Sequence, residues 1–361
     1  MYEDGYVELQ MVGSEETRED VCAARPPSKC LSYSTGRFKN GAIGLRNIGL
    51  TGCFNPLLQT LYMNKDFTDI LCGIRGPDDN VPLEKRLPYE LLTLFEEMQN
   101  SKEDAVPPYC LLRCLQALNV TLLYQNDVAE VFSTLLTLLL QNMPNPHLED
   151  RLRSLYSVSL EERLTCQQCS YQSTSHKDLS SISISVPHSK YQSKLTLERA
   201  LWKYFKSQEM KEDKNYCPKC ERHSRSAKVT QLRSLPHTLS IHVKRLSKKN
   251  GSRLQKINRT LSFPPVLDLL EVLDPEHLPE EQDTTPLYTY RLFAVIAHSG
   301  TANVGYFCTY IHCCKDGQWY FFNDSSVCKV SWDDVKCTYG NSSFHWGVTA
   351  CLLVYVQSDV K

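Results

Sequence analysis

The sequence lacks an excess of charge, a long apolar run and an export signal, and each absence removes a class of function. Its 361 residues carry a formal net charge of -1, so a nucleic acid or another polyanion is not an expected partner. No apolar run approaches the length of a bilayer-spanning helix, so we expect no membrane insertion. The first 20 residues hold neither a basic nor an apolar segment, so we expect no secretory signal.

Cysteine, in contrast, is abundant, with 16 residues. A disulfide scaffold so rich in cysteine is usually short and loop-rich, whereas this chain is long and 42% hydrophobic. Most of its cysteines stand in apolar surroundings, where a free thiol behaves as a small hydrophobic side chain. We therefore expect a reducing, cytoplasmic location, with the nucleus as a second compartment.

Two pairs of these cysteines have the spacing of zinc ligands. Cys166 and Cys169 form one Cys-x-x-Cys pair, and Cys217 and Cys220 form the other. Four thiolates complete a tetrahedral site with no open position, which predicts a structural zinc ion rather than a catalytic one. A redox motif is disfavoured because neither pair opens a helix after a strand. Unrelated surface cysteines are the remaining alternative.

The hydrophobic pattern divides the chain into a polar leader, a helical region and a β-rich region. Residues 1–40 are polar and aperiodic, which predicts a flexible leader. Helical periodicity follows at about 53–63, 87–100, 109–118 and 127–142. From Arg163 onwards the pattern predicts mostly strands, interrupted by a short helix at 195–205. The mixed-charge run from Lys206 to Lys214 is interpreted as a solvated loop. Together these segments indicate an α+β protein.

Two stretches combine residue types that carry chemistry. Residues 44–59 form a glycine-containing loop that enters an apolar helix. Unpaired N–H groups at such a helix start suit a thiolate nucleophile and the oxyanion that it creates. Residues 298–325 read as a β-hairpin with a tight turn at Asp316 and Gly317. Such a hairpin can present a base and its orienting partner to a thiol.

On these motifs the chain resembles the ubiquitin-specific proteases over nearly its whole length after residue 40. The matching blocks are NIGLT at 47–51, QNDVAEVF at 125–132, the two cysteine pairs, LSIHVKRL at 239–246, AVIAHSG at 294–300 and WYFFNDSSV at 319–327. CTYGN at 337–341 and ACLLVY at 350–355 are similar to the interferon-induced branch of that family. The resemblance implies one domain over 41–361, with a helical thumb at about 41–162, zinc-bearing β fingers at about 163–232 and an antiparallel β palm at about 233–361.

The residues that carry the family's catalysis are only partly present. Asn47 stands where the family has its oxyanion-stabilising Asn, and Asn323 stands where it has the residue that orients its base. Gly52 occupies the position of the nucleophilic Cys, and Tyr306 occupies that of the general-base His. Glycine has no nucleophilic side chain, and a phenol with a pKa of about 10 is a poor proton acceptor at pH 7.

Neighbouring residues offer weak substitutes for the missing pair. Cys53 is an alternative nucleophile, but one step along a helix turns a side chain by about 100°, so a packed thiol is the competing interpretation. His312 lies on the same strand face as Tyr306 but about 20 Å along the strand. For His298 we favour a hydrogen-bonding role near the loop, and His242 reads as a strand residue near the channel between thumb and palm.

The resemblance implies a thiol-dependent isopeptidase that removes ubiquitin or the interferon-stimulated tandem ubiquitin-like modifier, whose tail would lie in that channel. Because Gly52 and Tyr306 replace the reactive pair, we expect a catalytically impaired pseudoprotease instead. It would bind such a modifier, or a signalling complex of the interferon receptor, and so regulate interferon signalling in innate immunity. Two alternatives stay open, namely an active cysteine protease that uses Cys53 with a displaced base, and a purely structural zinc module.

Overall fold

The computed structural model describes most of the chain after residue 40. The described residues are 41–49, 52–74, 81–120, 127–187, 195–206, 208–249, 253–278, 288–341 and 347–358. The predicted leader lies outside them, as do Leu50 and Thr51 of the NIGLT block. None of the described helices is long and apolar enough to cross a membrane.

Helices dominate the first part of the described chain and strands the second, which confirms the predicted α+β class. The helices are α1 (Phe54–Met63), α2 (Lys65–Leu71), α3 (Leu87–Asn100), α4 (Tyr109–Ala117), α5 (Val128–Asn142), α6 (Pro146–Tyr156), α7 (Leu197–Phe205), α8 (Leu269–Val272) and α9 (Trp332–Lys336). The strands are β1 (Gly44–Leu45), β2 (Ala105–Val106), β3 (Val158–Cys166), β4 (Gln172–Leu179), β5 (Ile182–Ser185), β6 (Leu195–Thr196), β7 (Gln208–Cys217), β8 (Arg222–Ser234), β9 (Thr238–Lys244), β10 (Leu246–Lys249), β11 (Arg253–Lys256), β12 (Leu261–Ser262), β13 (Val266–Asp268), β14 (Thr289–Gly300), β15 (Gly305–Cys313), β16 (Gln318–Asn323), β17 (Ser326–Val330) and β18 (Thr349–Gln357).

The helical pattern predicts α1, α3, α4 and α5 correctly, whereas α2 and α6 were missed. Both missed helices begin after an asparagine whose side chain accepts backbone N–H groups of the first turn, Asn64 for α2 and Asn145 for α6. In α6 the buried residues Leu148, Leu152 and Leu155 fall on one helical face. A capping asparagine followed by this spacing is the signal that identifies such a helix.

A central eight-stranded sheet separates two hydrophobic cores. Its strand order is β17-β16-β15-β14-β18-β9-β5, with β13 also paired to β14. The core on one face lies between the sheet and the N-terminal helices. In it, Leu57 and Phe132 from the helices cluster with Ile311 of the sheet. The core on the other face joins the sheet to α7, through residues such as Leu201 and Val295. The sheet is therefore rigid on both sides, and the ends of its strands can hold residues in fixed positions.

A separate four-stranded antiparallel sheet, in the order β4-β3-β8-β7, carries the four predicted zinc ligands. The interpretation of the run from Lys206 to Lys214 as a loop was wrong, because most of it belongs to β7, which pairs with β8. β7 is an edge strand, and charged residues are common on edges since they discourage pairing with other chains. The division of the domain into thumb, fingers and palm remains a prediction.

One buried arginine connects the central sheet to neighbouring backbone segments through hydrogen bonds. Arg245 is 3% exposed, and its guanidinium donates hydrogen bonds to the carbonyl oxygens of Ala350, Ile257, Arg259 and Tyr339 at 2.7–3.0 Å. Burial lowers the pKa of Arg245 to about 10. The planar guanidinium suits this position because several acceptors approach it in one plane.

Replacing Arg245 by Met is expected to lower the free energy of unfolding by about 3–5 kcal/mol, because it leaves buried carbonyl oxygens without a donor. Urea denaturation monitored by tryptophan fluorescence measures the loss. Arg113→Met on the exposed face of α4 is the matched control and should change stability by less than about 0.5 kcal/mol. Equal losses in the two variants would contradict this account of Arg245.

Candidate functional site

Gly52, the position of the family nucleophile, immediately precedes the start of α1. Among the described residues other than its chain neighbours, none has a heavy atom within 4 Å of a Cβ atom built on Gly52. The backbone φ of Gly52 is not in the left-handed region, so an ordinary side chain fits without strain. The position therefore has the space for a catalytic side chain but lacks the side chain itself.

Cys53, the alternative nucleophile, is buried at the start of α1. Its exposed fraction is 8%, and it belongs to the hydrophobic core between the helices and the central sheet. Burial, reinforced by the charge of Asp127, raises the pKa of the Cys53 thiol to about 11 against the opposing effect of a backbone hydrogen bond. Because the thiolate is the reactive form, this environment favours the packed thiol over the displaced nucleophile.

Tyr306, the position of the family base, is the second residue of β15. In the antiparallel pairing of β14 and β15 it lies opposite Ser299, and the next pair, Gly300 and Gly305, ends the ladder. A Cβ on Gly305 would lie 2.2 Å from the carbonyl oxygen of Ser299 and 2.4 Å from the ring of His298. Only glycine allows this close approach, and the approach fixes the strand end that carries Tyr306.

Asp324, in the turn between β16 and β17, joins this hairpin to the start of α1. One carboxylate oxygen accepts from the side-chain amide of Asn55 at 2.8 Å, and the other accepts from that of Asn47 at 3.0 Å. The carbonyl oxygen of Asp324 accepts from the Leu45 N–H at 3.0 Å and from the Gln59 side chain at 3.1 Å. The sequence placed Asp324 beside the orienting Asn323 but assigned it no role.

These hydrogen bonds bring the predicted catalytic positions to one corner of the central sheet. Asn55 holds the beginning of α1 at the turn after β16, and Gly52 lies only three residues earlier in the chain. Asn323 ends β16, and β15 runs antiparallel beside β16, so the Tyr306 end of β15 faces the same corner. We define this corner by Asn47, Gly52, Tyr306, Asn323 and Asp324.

Asn47, the predicted oxyanion donor, is already engaged in this corner. Its side-chain oxygen accepts the Gly49 N–H at 2.9 Å, and its amide nitrogen donates to Asp324. Oxyanion stabilisation requires donors aimed at the position where the charge develops. In this arrangement one hydrogen of the Asn47 amide holds the loop to Asp324, and the oxyanion role of Asn47, which has a second amide hydrogen, stays a prediction.

The three other candidate histidines are held away from a base role. Burial, aided by the nearby charge of Lys256, lowers the pKa of His298 to about 3, and its ring packs against Phe307. Burial also lowers the pKa of His312, which packs against the Trp319 ring. The strand residue His242 places Nε2 2.8 Å from a carboxylate oxygen of Asp127, a pairing that the sequence did not predict.

A small cavity lies where the start of α5 meets the central sheet. It has a volume of about 40 Å³ and is lined by Asp127, Val243, Arg245, Leu246, Lys256, His298, Ala302, Phe307, Thr349 and Cys351. The ammonium group of Lys256 donates to the carbonyl oxygens of His298, Gly300 and Gly347 at 2.8–2.9 Å. Burial lowers the pKa of Lys256 to about 8. The space suits a few water molecules rather than a peptide.

The four predicted zinc ligands come together at the turns of the four-stranded sheet, which confirms their predicted grouping. All four sulfur atoms lie within 4.8 Å of one another, with 3.9 Å between Cys166 and Cys220 and 3.5 Å between Cys169 and Cys217. Zinc–sulfur bonds of 2.3 Å in a tetrahedron require sulfur–sulfur distances of about 3.8 Å. The cysteine cluster therefore fits a structural zinc ion and leaves no open coordination position.

The fold, the corner and the cysteine cluster together define a deubiquitinase-type protein, and the chain belongs to the ubiquitin carboxyl-terminal hydrolase family, which it matches over residues 43–355. The human protein named Ubl carboxyl-terminal hydrolase 18 is 38% identical over 323 residues, which cover 89% of this chain and 87% of that protein. Its mouse counterpart is 39% identical over 320 residues, covering 88% and 86%. Ubiquitin carboxyl-terminal hydrolase 47 of Xenopus tropicalis is 25% identical over an alignment of 398 positions, which covers 95% of this chain but 29% of that longer protein. The family predicted from the sequence is confirmed.

Asp324→Asn is expected to lower the free energy of unfolding by about 1–3 kcal/mol, because the new amide group cannot accept hydrogen bonds from both Asn47 and Asn55. Asn tolerates the positive φ of Asp324, which is 50°, so backbone strain does not contribute. Denaturant unfolding measures the loss, with the exposed Asp150→Asn on α6 as the matched control. A loss no larger than that of the control would contradict the role of Asp324 as the link of the corner.

Proposed function

We propose that this chain is a catalytically impaired member of the hydrolase family that binds ubiquitin or a ubiquitin-like modifier without cleaving it. The observation that carries the proposal is Gly52, which stands at the nucleophile position in unobstructed space. The proposal is supported by Tyr306 at the base position and by the buried Cys53 thiol, whose raised pKa makes it a weak nucleophile.

The rest of the domain supports a preserved binding scaffold. The cysteine cluster has the geometry of a zinc site, and the corner is held by four hydrogen bonds to Asp324. The relatives named Ubl carboxyl-terminal hydrolase 18 carry the modifier in their name. We extend modifier binding, but not hydrolysis, from them to this chain.

We further propose that the modifier tail enters between α5 and the central sheet, at the cavity beside Asp127 and Lys256. Its volume of about 40 Å³ is too small for a peptide, so binding must widen the gap. Interferon signalling through a receptor complex, and a cytoplasmic and nuclear location, are parts of the proposal that depend on the family resemblance alone.

Calorimetric titration with ubiquitin and with a tandem ubiquitin-like modifier tests the binding proposal. We expect saturable binding of one of them with no released product, and binding at least about tenfold weaker when the modifier lacks its last two residues, since the tail contacts are then lost. The truncated modifier is the matched control. Absence of binding to both modifiers would contradict the proposal, as would turnover of an intact C-terminal substrate.

The competing hypothesis, an active protease that uses Cys53, predicts a different result. A modifier with a C-terminal electrophile would then form an adduct that Cys53→Ser abolishes. Intact mass spectrometry of the wild-type chain and of this variant decides between the two functions. A stoichiometric adduct on Cys53 would overturn the binding-only proposal.

A further inference from the structure

The segment after α8 contains a histidine in the arrangement that metal ligands adopt. His277 ends a short 3-10 turn, Pro275–His277, and is 1% exposed. Its Nδ1 lies 2.9 Å from the carbonyl oxygen of Thr230 on β8. A carbonyl oxygen only accepts hydrogen bonds, so the proton of the neutral ring is on Nδ1. The lone pair of Nε2 is therefore available on the opposite edge of the ring.

That lone pair faces the carboxylate of Glu276 rather than a donor. Nε2 of His277 has no hydrogen-bond partner among the described residues, and it lies 3.4 Å from a carboxylate oxygen of Glu276. One ligand atom each from Asp274, Glu276 and His277 lie within 4.8 Å of one another. Three acceptors at these distances repel one another unless a cation or a proton lies between them.

We propose that Asp274, Glu276 and His277 bind a divalent metal ion of the zinc class, at a second site distinct from the cysteine cluster. One imidazole nitrogen and two carboxylate oxygens form a ligand set that zinc accepts, with bonds of about 2.0–2.2 Å. Such bonds require ligand atoms about 3.4 Å apart, which is the distance between Glu276 and His277. Asp274 is exposed, so its side chain can move the short distance needed to complete the set.

The surroundings of His277 provide the second layer of contacts that metal sites need. The Thr230 carbonyl fixes the ring orientation and the tautomer, as the outer partners of metal-bound histidines do. The Phe205 ring, with its centroid 6.3 Å away, packs beside the imidazole. The charged carboxylates stay at the surface, where Glu276 keeps 68% of its side chain exposed. The ion can therefore enter without unfolding the segment.

The ion would be bound by the segment after α8 alone, and His277 connects that segment to the four-stranded sheet through Thr230. Thr230, which contacts His277, lies eight residues along β8 from Arg222, which directly follows the cysteine turn. At the rise of a β-strand this separation is roughly 26 Å, so the two sites are distinct. Beside Thr230, the side chain of Gln231 donates to the Leu278 carbonyl oxygen at 3.2 Å. A metal on Nε2 would hold the His277 ring in the orientation that donates from Nδ1 to Thr230, and would support this junction in that way.

Calorimetric titration of ZnCl₂ into the full chain, with its cysteine cluster already filled by one equivalent of zinc, tests the second site. We expect one further equivalent to bind and to raise the thermal midpoint. Glu276→Gln should lower the affinity for the second equivalent at least about tenfold, because it removes a direct ligand. Loss of an outer partner of a metal ligand already lowers metal affinity by about 10–100-fold. Glu271→Gln, an exposed carboxylate on α8, is the matched control and should bind as the wild type does.

Three outcomes would overturn the proposal, and the first two are that the filled protein takes up no second equivalent and that Glu276→Gln binds it as tightly as the wild type. Uptake of no further zinc together with destabilisation by Glu276→Gln would assign the contact to an ion pair between a protonated His277 and Glu276. His277→Gln serves as a second variant, and retention of the second equivalent in that variant would also overturn the assignment.

Discussion

Restoring both missing groups, with Gly52→Cys and Tyr306→His in one chain, is expected to produce turnover of a C-terminal fluorogenic modifier substrate where the wild-type chain shows none. The physical reason is that the corner lacks reactive atoms but not their space. A Cβ on Gly52 meets none of the described residues beyond its chain neighbours within 4 Å, and Tyr306 occupies a strand end held by the close approach of Gly305 to His298. Loss of a nucleophile can cost a protease about 10⁶ in kcat.

The single variants separate the two contributions. Gly52→Cys alone should form a covalent adduct with an electrophilic modifier, because a thiol near the start of α1 is exposed to the partial positive charge of the helix. Its turnover should be about 10²–10⁴ times slower than that of the double variant, which is the usual contribution of a general base. Tyr306→His alone should show no adduct and no turnover.

The double variant also tests whether the hydrogen bond of Asn47 to Asp324 slows turnover. If the amide of Asn47 stays bonded to Asp324, the double variant should form adducts readily but turn over slowly. Comparing the rates of adduct formation and turnover measures this effect. A double variant that binds the modifier, forms no adduct and shows no turnover would contradict the view that the corner lacks only its reactive atoms.

Removal of zinc from the cysteine cluster is the second large effect that we expect. Cys217→Ser should abolish zinc binding at the cysteine cluster and unfold the outer part of the four-stranded sheet. Structural zinc sites contribute roughly 10 kcal/mol or more to folding in small zinc domains. Here nearly all of β4 is exposed, so little hydrophobic core remains to hold the sheet when the ion is lost.

Hydrogen exchange gives the local readout for this prediction. Amides of β3, β4, β7 and β8 should exchange faster in Cys217→Ser, whereas those of β14 and β18 in the central sheet should keep their protection, because they are buried between the two cores. Cys110→Ser on α4, an exposed cysteine outside the cluster, is the matched control. Normal zinc content and unchanged exchange in Cys217→Ser would contradict the structural role of the cluster.

Several features of this protein were predictable from the sequence because their causes are local. The cysteine spacing predicts two turns that each present two sulfurs, and the structure brings all four sulfurs together. The apolar periodicity predicts α3 and α5 within one residue of their bounds. The identities of Gly52 and Tyr306 are a property of the sequence itself, and the proposal of an impaired catalytic site follows from them.

Only the tertiary structure decided the features that join residues far apart in the chain. Asp324 bonds to Asn47 and Asn55 across 277 and 269 residues, and no local pattern encodes such a contact. The burial of Cys53, which raises the pKa of its thiol to about 11, depends on the packing of α1 against the central sheet. The contact of the His277 ring with Thr230, and the four carbonyl oxygens around Arg245, arise in the same way. Side-chain spacing and backbone turns are set by neighbours in sequence, whereas burial and the partners of polar groups are set by which surfaces pack together.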